Sequence, residues 1–119
     1  MPGLVTVTLD NGIAVITIDN PPVNALSNAV RTGIIAALNQ TRDDAAVKAV
    51  VLACAGRTFI AGADITEFDK PSRPPGTGDV IEVLDAMPKP VVAALHGTAL
   101  GGGLEIALGC HFRVAAPGT

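Results

Sequence analysis

The stretch VVAALHGTALGGGLEIALG, residues 91–109, decides how the chain folds. VVAAL is an apolar run of strand length, and LEIALG at residues 104–109 reads as a short helix. Between them, residues 97–103 hold four glycines in seven positions. A buried strand that passes through glycine into a helix is a building unit of an α/β fold. A further strand is predicted from residue 112 to residue 116. In the other direction, Pro88-Lys89-Pro90 stops a helix predicted over residues 79–87. PSRPPGTG at residues 71–78 is the one low-complexity stretch, and it reads as a mobile surface loop within one domain.

Further outward the same alternation continues. Residues 47–54 form a mostly apolar run, predicted as a strand covered on both faces. The passage 59–65 mixes apolar and tiny residues, as where backbone approaches another group closely. Ser27 is the predicted N-cap of a helix running to about residue 43, with Val30, Ile34, Ala37, Leu38 and Thr41 on its buried face. The capping box is incomplete, because Val30 stands where an acid or amide would reach back. LVTVTL at residues 4–9 and IAVITI at residues 13–18 flank Asp10-Asn11-Gly12, whose Asn-Gly step predicts a tight hairpin.

The chain has 119 residues, 49% hydrophobic and 16% charged, which indicates one domain and excludes a disordered tail. That length buries roughly two-thirds of the surface the unfolded chain exposes. Net charge is -3 without long like-charge runs, and Phe59, Phe68 and Phe112 are the only aromatics. Nucleic acid is therefore not an expected partner, for want of both a cationic face and a stacking platform. No apolar run approaches the roughly 20 residues of a membrane-spanning helix. The opening MPGLVTVTLD carries no secretory pattern. Cys54 and Cys110 read as structural thiols of a reducing compartment. A mean hydropathy of +0.47 points to a subunit that buries surface against partners, or to a portion of a larger domain.

Three successive glycines at the start of a helix leave backbone N–H groups uncovered, and the helix dipole adds positive potential there. Such a place suits an anion or a developing oxyanion, although glycines also serve tight helix–strand packing. A P-loop is excluded because no Gly-Lys-Ser/Thr follows, and a dinucleotide fingerprint because Ile106 stands where Gly or Ala belongs. Glu105, in the first turn of an otherwise apolar helix, reads either as a complement to the helix dipole or as a partly desolvated general acid/base. Asp64 reads as the cap of a short helix over residues 65–68. His96 and His111 lack partners at metal-ligand spacing and read as structural.

Two motifs, RTFIAGADITEF at residues 57–68 and HGTALGGGLEIALGCHFRVA at residues 96–115, resemble the enoyl-CoA hydratase/isomerase (crotonase) superfamily. The likeness runs from VTLDNGIAVITIDNPPVNALS through to the last motif, and its variants look most like the hydratase half of multifunctional β-oxidation enzymes. The resemblance implies an α/β spiral of repeated ββα units, assembled as homo-oligomers built on trimers. It implies an oxyanion hole formed by the N–H groups of Ala63 and Gly102, with Glu105 as the first catalytic glutamate. The backbone of Asn24, Ala25, Leu26, Ala61 and Gly62 falls where the family lines the coenzyme A path. Ala63, Asp64, Gly101 and Gly102 complete the implied substrate-binding set.

The implied partner is an acyl-CoA thioester, and the implied reaction is hydration of trans-2-enoyl-CoA to 3-hydroxyacyl-CoA in fatty-acid β-oxidation. Coenzyme A enters as part of the substrate, with no separate cofactor and no metal. Double-bond isomerisation is the alternative within the family, and a non-catalytic coenzyme A-binding or assembly module is the alternative outside it. One departure stands out: the family's second glutamate, about twenty residues after the first, would fall beyond Thr119. Residues 1–119 therefore read as a single partial crotonase-like domain, inactive by itself as a hydratase and prone to associate. A bacterial-type cytoplasmic setting is expected, with peroxisome and mitochondrion as the other placements.

Overall fold

The Asn-Gly step folds as its chemistry requires: Asn11 and Gly12 both take positive φ, 50° and 84°, and the chain reverses there. β1 (Val5–Asp10) thereby pairs antiparallel with β2 (Ile13–Ile18), Asp10 opposite Ile13. A computed structural model describes residues 3–68, 71 and 73–119. Three more strands extend the sheet in chain order: β3 (Ala49–Cys54), β4 (Val91–Leu95) and β5 (Phe112–Ala115). All three join in parallel, so each needs a crossover, supplied by α1 (Asn28–Asp43), α2 (Thr77–Ala86) and α3 (Gly102–Gly109).

Each crossover has one more part. After its strand and before its helix, the chain runs extended for a residue or two and bridges its neighbour. Leu26 bridges Ala63 and Ala61 bridges Leu100, both in parallel. A second, very short β layer thus stacks beside the main sheet, and every turn reads strand, bridge, helix. This is the crotonase-like spiral of ββα units, with the second strand of each unit reduced to a bridge.

The inner face of the sheet carries Ala14, Ile16 and Ile18 of β2, Val50, Leu52 and Cys54 of β3, and Val91 and Ala93 of β4, all buried. They share one core with Val30, Ile34 and Leu38 of α1, Leu84 of α2 and Ile106 of α3. The expectation that β3 is covered on both faces is not met. Its burial alternates, leaving Ala49, Val51 and Ala53 half-buried, because the helices contribute to the core on one side only. At the C-terminal end Leu100, Leu104, Leu108, Phe112 and Val114 are exposed.

α1 buries the five predicted residues, and Ser27 Oγ accepts from the Val30 N–H at 3.2 Å. Its C-terminal carbonyls meet a cation: Lys89 Nζ donates to Thr41 O and Asp44 O, each at 2.7 Å. α2 starts at Thr77, so residues 77 and 78 belong to the helix and not to the predicted loop. Asp79 Oδ2 accepts from the Gly76 N–H at 2.7 Å and thereby supplies an N-terminal partner earlier than the apolar pattern suggests. The described part of that loop is hydrogen-bonded to α1. Asn28 Nδ2 donates to Arg73 O and Pro74 O at 3.0 and 3.3 Å, and Arg31 Nε donates to Pro75 O at 2.7 Å. Ser72 of the predicted loop lies outside the described residues.

α3 starts at Gly102, two residues earlier than predicted, and presses Gly103 against Ile60. A Cβ on Gly103 would lie 2.6 Å from Ile60 Cβ and would also strike the Ile60 carbonyl oxygen. Gly78 has nothing within 4 Å of the equivalent position. Gly103→Ala is expected to lower the unfolding free energy by about 1–3 kcal/mol through overpacking, measured by urea titration. Gly78→Ala, which only removes freedom from the unfolded chain, is expected to raise it by about 0.4–1 kcal/mol. A Gly103→Ala protein as stable as the parent would refute the contact.

Candidate functional site

The parallel strands β2, β3 and β4 end at Ile18, Cys54 and Leu95, and three crossover segments leave from that edge. The carboxyl edge of such a sheet is where open α/β folds form crevices. The middle segment, starting at Ala55, is held on both sides. Toward the first segment, Leu26 N–H donates to Gly62 O at 2.9 Å and Ala61 N–H to Val23 O at 3.2 Å. Toward the third, Phe59 N–H donates to His96 O at 2.7 Å and Leu100 N–H to Ile60 O at 3.2 Å.

Bridging in this way uses some backbone groups and leaves others. Among the described residues, neither the Ala63 N–H nor the Gly102 N–H has an acceptor. Ala63 is exposed and Gly102 half-buried. The residues before them approach closely: a Cβ on Gly101 would stand 3.9 Å from Gly62 Cα, and Gly101 has φ +52°. Leu26 neighbours both residues, bridging Ala63 through its backbone while its Cδ2 would be 2.8 Å from a Cβ on Gly102. Gly102 also opens α3, so its N–H carries the positive end of that helix.

A cleft of about 460 Å³ runs from Ala63 past Leu26 and Thr77 to Arg31, Glu67 and Phe68. Its wall is braced by charge. Arg31 Nη1 donates to Leu26 O at 2.8 Å, and Arg31 Nη2 stands 3.4 Å from Glu67 Oε1. Glu67 Oε2 in turn accepts from the Asn28 N–H at 2.9 Å, the first residue of α1. The sequence reading did not single out Arg31 and Glu67. The one available signal was an arginine next to Val30 on the buried stripe of α1.

The implied site residues separate into groups. Leu26, Ala63 and Asp64 line the cleft, and Gly101, Gly102, Ala61 and Gly62 lie in the neighbouring backbone. Asp64 caps a 3-10 turn, Ile65–Glu67, with Oδ1 accepting from the Thr66 N–H at 2.9 Å. Ala25 is committed locally, its carbonyl accepting from Asn20 Nδ2 at 2.9 Å. Asn24 turns inward: its side chain is enclosed by the middle segment and offers a substrate no free group. Glu105 sits in the first turn of α3, where a carboxylate complements the helix dipole, and it is exposed among the described residues. α3 buries only Gly103, Ile106 and Ala107, and nothing among the described residues covers the face that carries Leu104, Glu105 and Leu108.

Other titratable groups are spent on structure. His96 Nε2 lies 2.8 Å from Gly56 O, and His111 Nδ1 accepts from the Val91 N–H at 2.9 Å. Burial pushes the Cys54 thiol up to about 12, partly opposed by a hydrogen bond from the Ile60 backbone. Burial also pushes Cys110 up to about 11, partly opposed by Arg113. Neither supplies a thiolate near neutral pH. Among the described residues no group of three or more His, Cys, Asp or Glu side chains could hold a metal ion. No helix of the described residues is long and apolar enough to cross a membrane.

A family model described as enoyl-CoA hydratase/isomerase matches residues 8–118. A probable enoyl-CoA hydratase of Bacillus subtilis is 41% identical over 119 residues, taking in 94% of this chain and 46% of that protein. The peroxisomal bifunctional enzyme of Danio rerio is 48% identical over 103 residues, 87% of this chain and 14% of that protein. A peroxisomal fatty acid beta-oxidation multifunctional protein of rice is 40% identical over 131 residues, 98% of this chain and 18% of that protein. These last two agree with the likeness read in the motifs. Among solved structures, an enoyl-CoA hydratase of Mycobacterium avium subsp. paratuberculosis superposes with a TM-score of 0.80 at 34% identity, over 97% of this chain and 48% of that one. A Geobacillus kaustophilus enoyl-CoA hydratase subunit superposes with a TM-score of 0.86 at 34% identity, over 95% of this chain and 46% of that one. The chain spans about half the length of the Bacillus relative and of these structures.

The buried thiols make a pH prediction. Unfolded cysteines titrate near 9.0 and the folded ones near 11 and 12, so the folded chain holds these protons more tightly. Their contribution to stability is level below about pH 9 and is lost as pH rises from there toward 12. Urea titrations from pH 7 to 11 are expected to show this fall, and Cys54→Val is expected to reduce its slope. An identical slope in the variant would refute the burial assigned to Cys54.

Proposed function

We propose that this chain, which belongs to the enoyl-CoA hydratase/isomerase family, forms the thioester-binding part of an enzyme that hydrates trans-2-enoyl-CoA to 3-hydroxyacyl-CoA. The observation that carries the reading is the pair of unpartnered N–H groups on Ala63 and Gly102, two residues that both neighbour Leu26. In this reading the thioester oxygen lies between them. As water adds at the β-carbon, charge builds on that oxygen, and fixed donors bind the enolate-like transition state more tightly than the substrate. Glu105, in the same first turn as Gly102, takes and returns the proton. Coenzyme A lies along the backbone of residues 24–26 and 61–62 as part of the substrate, and the acyl group enters the cleft that starts at Ala63.

The remainder of the proposed enzyme covers Leu104, Leu108 and Phe112, desolvates Glu105 and supplies a second acid. Residues 1–119 are then one part of a larger domain that assembles as trimer-based homo-oligomers, in a bacterial-type cytoplasm. The exposure of Glu105 favours one second reading, a coenzyme A-binding module with an oxyanion site and no working acid.

The test is turnover of crotonyl-CoA by the protein encoded in the full natural reading frame. Glu105→Gln is expected to lower kcat by roughly 10²–10⁴-fold with little change in KM. Unchanged kcat would return Glu105 to the role of a dipole complement. Gly102 is the first residue of α3, where proline fits a helix, so Gly102→Pro deletes the N–H without breaking the element. Gly102→Ala brings similar crowding against Leu26 but keeps the donor. Pro is expected to abolish turnover and Ala to retain a measurable part of it; equal activities would remove Gly102 from the oxyanion site. The 119-residue chain alone is expected to associate in light scattering and to show no hydration.

A further inference from the structure

Backbone bonds are not all that joins the three crossover segments. Two enclosed side chains run through them in series. Asn24 is 3% exposed and its amide is fully engaged: Oδ1 accepts from the Asn20 N–H at 2.7 Å, and Nδ2 donates to Ala55 O and Thr58 O at 2.8 Å each. Its φ of 54° is a left-handed conformation that asparagine tolerates better than other residues with a Cβ. Thr58, 9% exposed, continues the series. Its hydroxyl donates to Thr98 O at 2.9 Å and accepts from the Thr98 N–H at 2.8 Å, so both of its hydrogen-bonding capacities face one residue.

We propose that Asn24 and Thr58 are positioning residues that set the spacing between the Ala63 and Gly102 N–H groups. The functional meaning of this inference rests on the oxyanion reading above, whereas the coupling itself is measurable without it. Thr58 begins the passage that ends at Ala63, and Thr98 begins the one that ends at Gly102. Between these ends the two passages are joined by the Leu100 N–H to Ile60 O bond and the Ala61–Leu100 bridge. Gly97 allows the contact, since a Cβ there would lie 2.6 Å from Arg57 O and 2.8 Å from Thr58 Cα. The Thr58 hydroxyl sets how far one passage stands from the other, and Asn24 holds Thr58 from the opposite side. Neither side chain is placed to touch substrate. Both act through the two donors, and misplacing such groups by about 1 Å costs on the order of 10²-fold in rate.

The experiment uses the protein of the full natural reading frame with Thr58→Val, which keeps shape and loses the hydroxyl, and Thr58→Ser, which keeps the hydroxyl. Three readouts are taken: the backbone amide resonances of Ala63 and Gly102 without ligand, kcat and KM for crotonyl-CoA, and the carbonyl stretch of bound ¹³C-labelled butanoyl-CoA. Thr58→Val is expected to move both amide resonances, to lower kcat by roughly 10²-fold with KM little changed, and to weaken the red shift of the thioester carbonyl. Thr58→Ser is expected to restore all three. A folded Thr58→Val protein whose resonance changes stop at Thr58 and Thr98, with parental kcat, would overturn the proposal. If the parent protein neither turns over crotonyl-CoA nor shifts the carbonyl, the proposed function falls, and the amide resonances still decide the coupling. Should Thr58→Val not fold, hydrogen exchange on the parent decides. The Asn20 and Thr98 N–H groups are expected to exchange only through global unfolding, and exchange through local opening would overturn the proposal.

Discussion

The carbonyl oxygen of Ile60 lies where a side chain on Gly103 would have to be, and the arrangement of the three crossovers depends on that contact. It brings α3 down onto the middle segment, and the Leu100 N–H can then reach the same carbonyl at 3.2 Å. With Leu100 bridged to Ala61, and Leu26 bridged to Ala63 on the other side, the second β layer is complete. The Ala63 N–H stays without an acceptor although Ala63 is bridged, and the Gly102 N–H is free because it opens α3, where the first N–H groups have no intrahelical partner.

The same architecture explains where the molecule is apolar without being covered. The buried residues of α1, α2 and α3 share one core with the inner face of the sheet. On the outer face the pairings Thr8–Val15, Val15–Val51, Val51–Val92 and Val92–Phe112 align one residue from every strand in a single row. The three valines of that row are half-buried and its two ends are exposed, Phe112 at 61%. Exposed Leu104 and Leu108 continue the apolar surface onto α3. Glu105 shares that side of the helix, so whatever covers these leucines also sets its solvation.

Charge is used sparingly and mostly at helix ends. Glu67 accepts from the first N–H of α1, Asp79 from the N–H preceding α2, and Lys89 donates to the last carbonyls of α1. In each case the ionised side chain has the sign that offsets the helix end it meets. At α3 no side chain caps the N-terminus, and Gly101 occupies the cap position. Gly103, Leu104 and Glu105 donate to the carbonyls of Leu100 and Gly101, and the first N–H of the helix, that of Gly102, is left without an acceptor.

What the sequence determined by itself was local or familial. Asn11-Gly12 made the hairpin, Ser27 started α1, the spacing from Val30 to Thr41 defined its buried stripe, and the motifs around Ala63 and Gly102 identified the family. These features act within a few residues or are carried by residue identity. Tertiary structure alone decided the rest. It turned the Asn24 side chain into the core, where carbonyls of a distant segment engaged its amide. It started α2 at Thr77, because Asp79 could reach Gly76, and it tied the preceding loop to Asn28 and Arg31. It left Glu105 exposed, because burial depends on what packs over a helix and not on the apolar residues within it. Whether a backbone N–H is free depends on which segment lies alongside it, and no periodicity in the sequence records that neighbour.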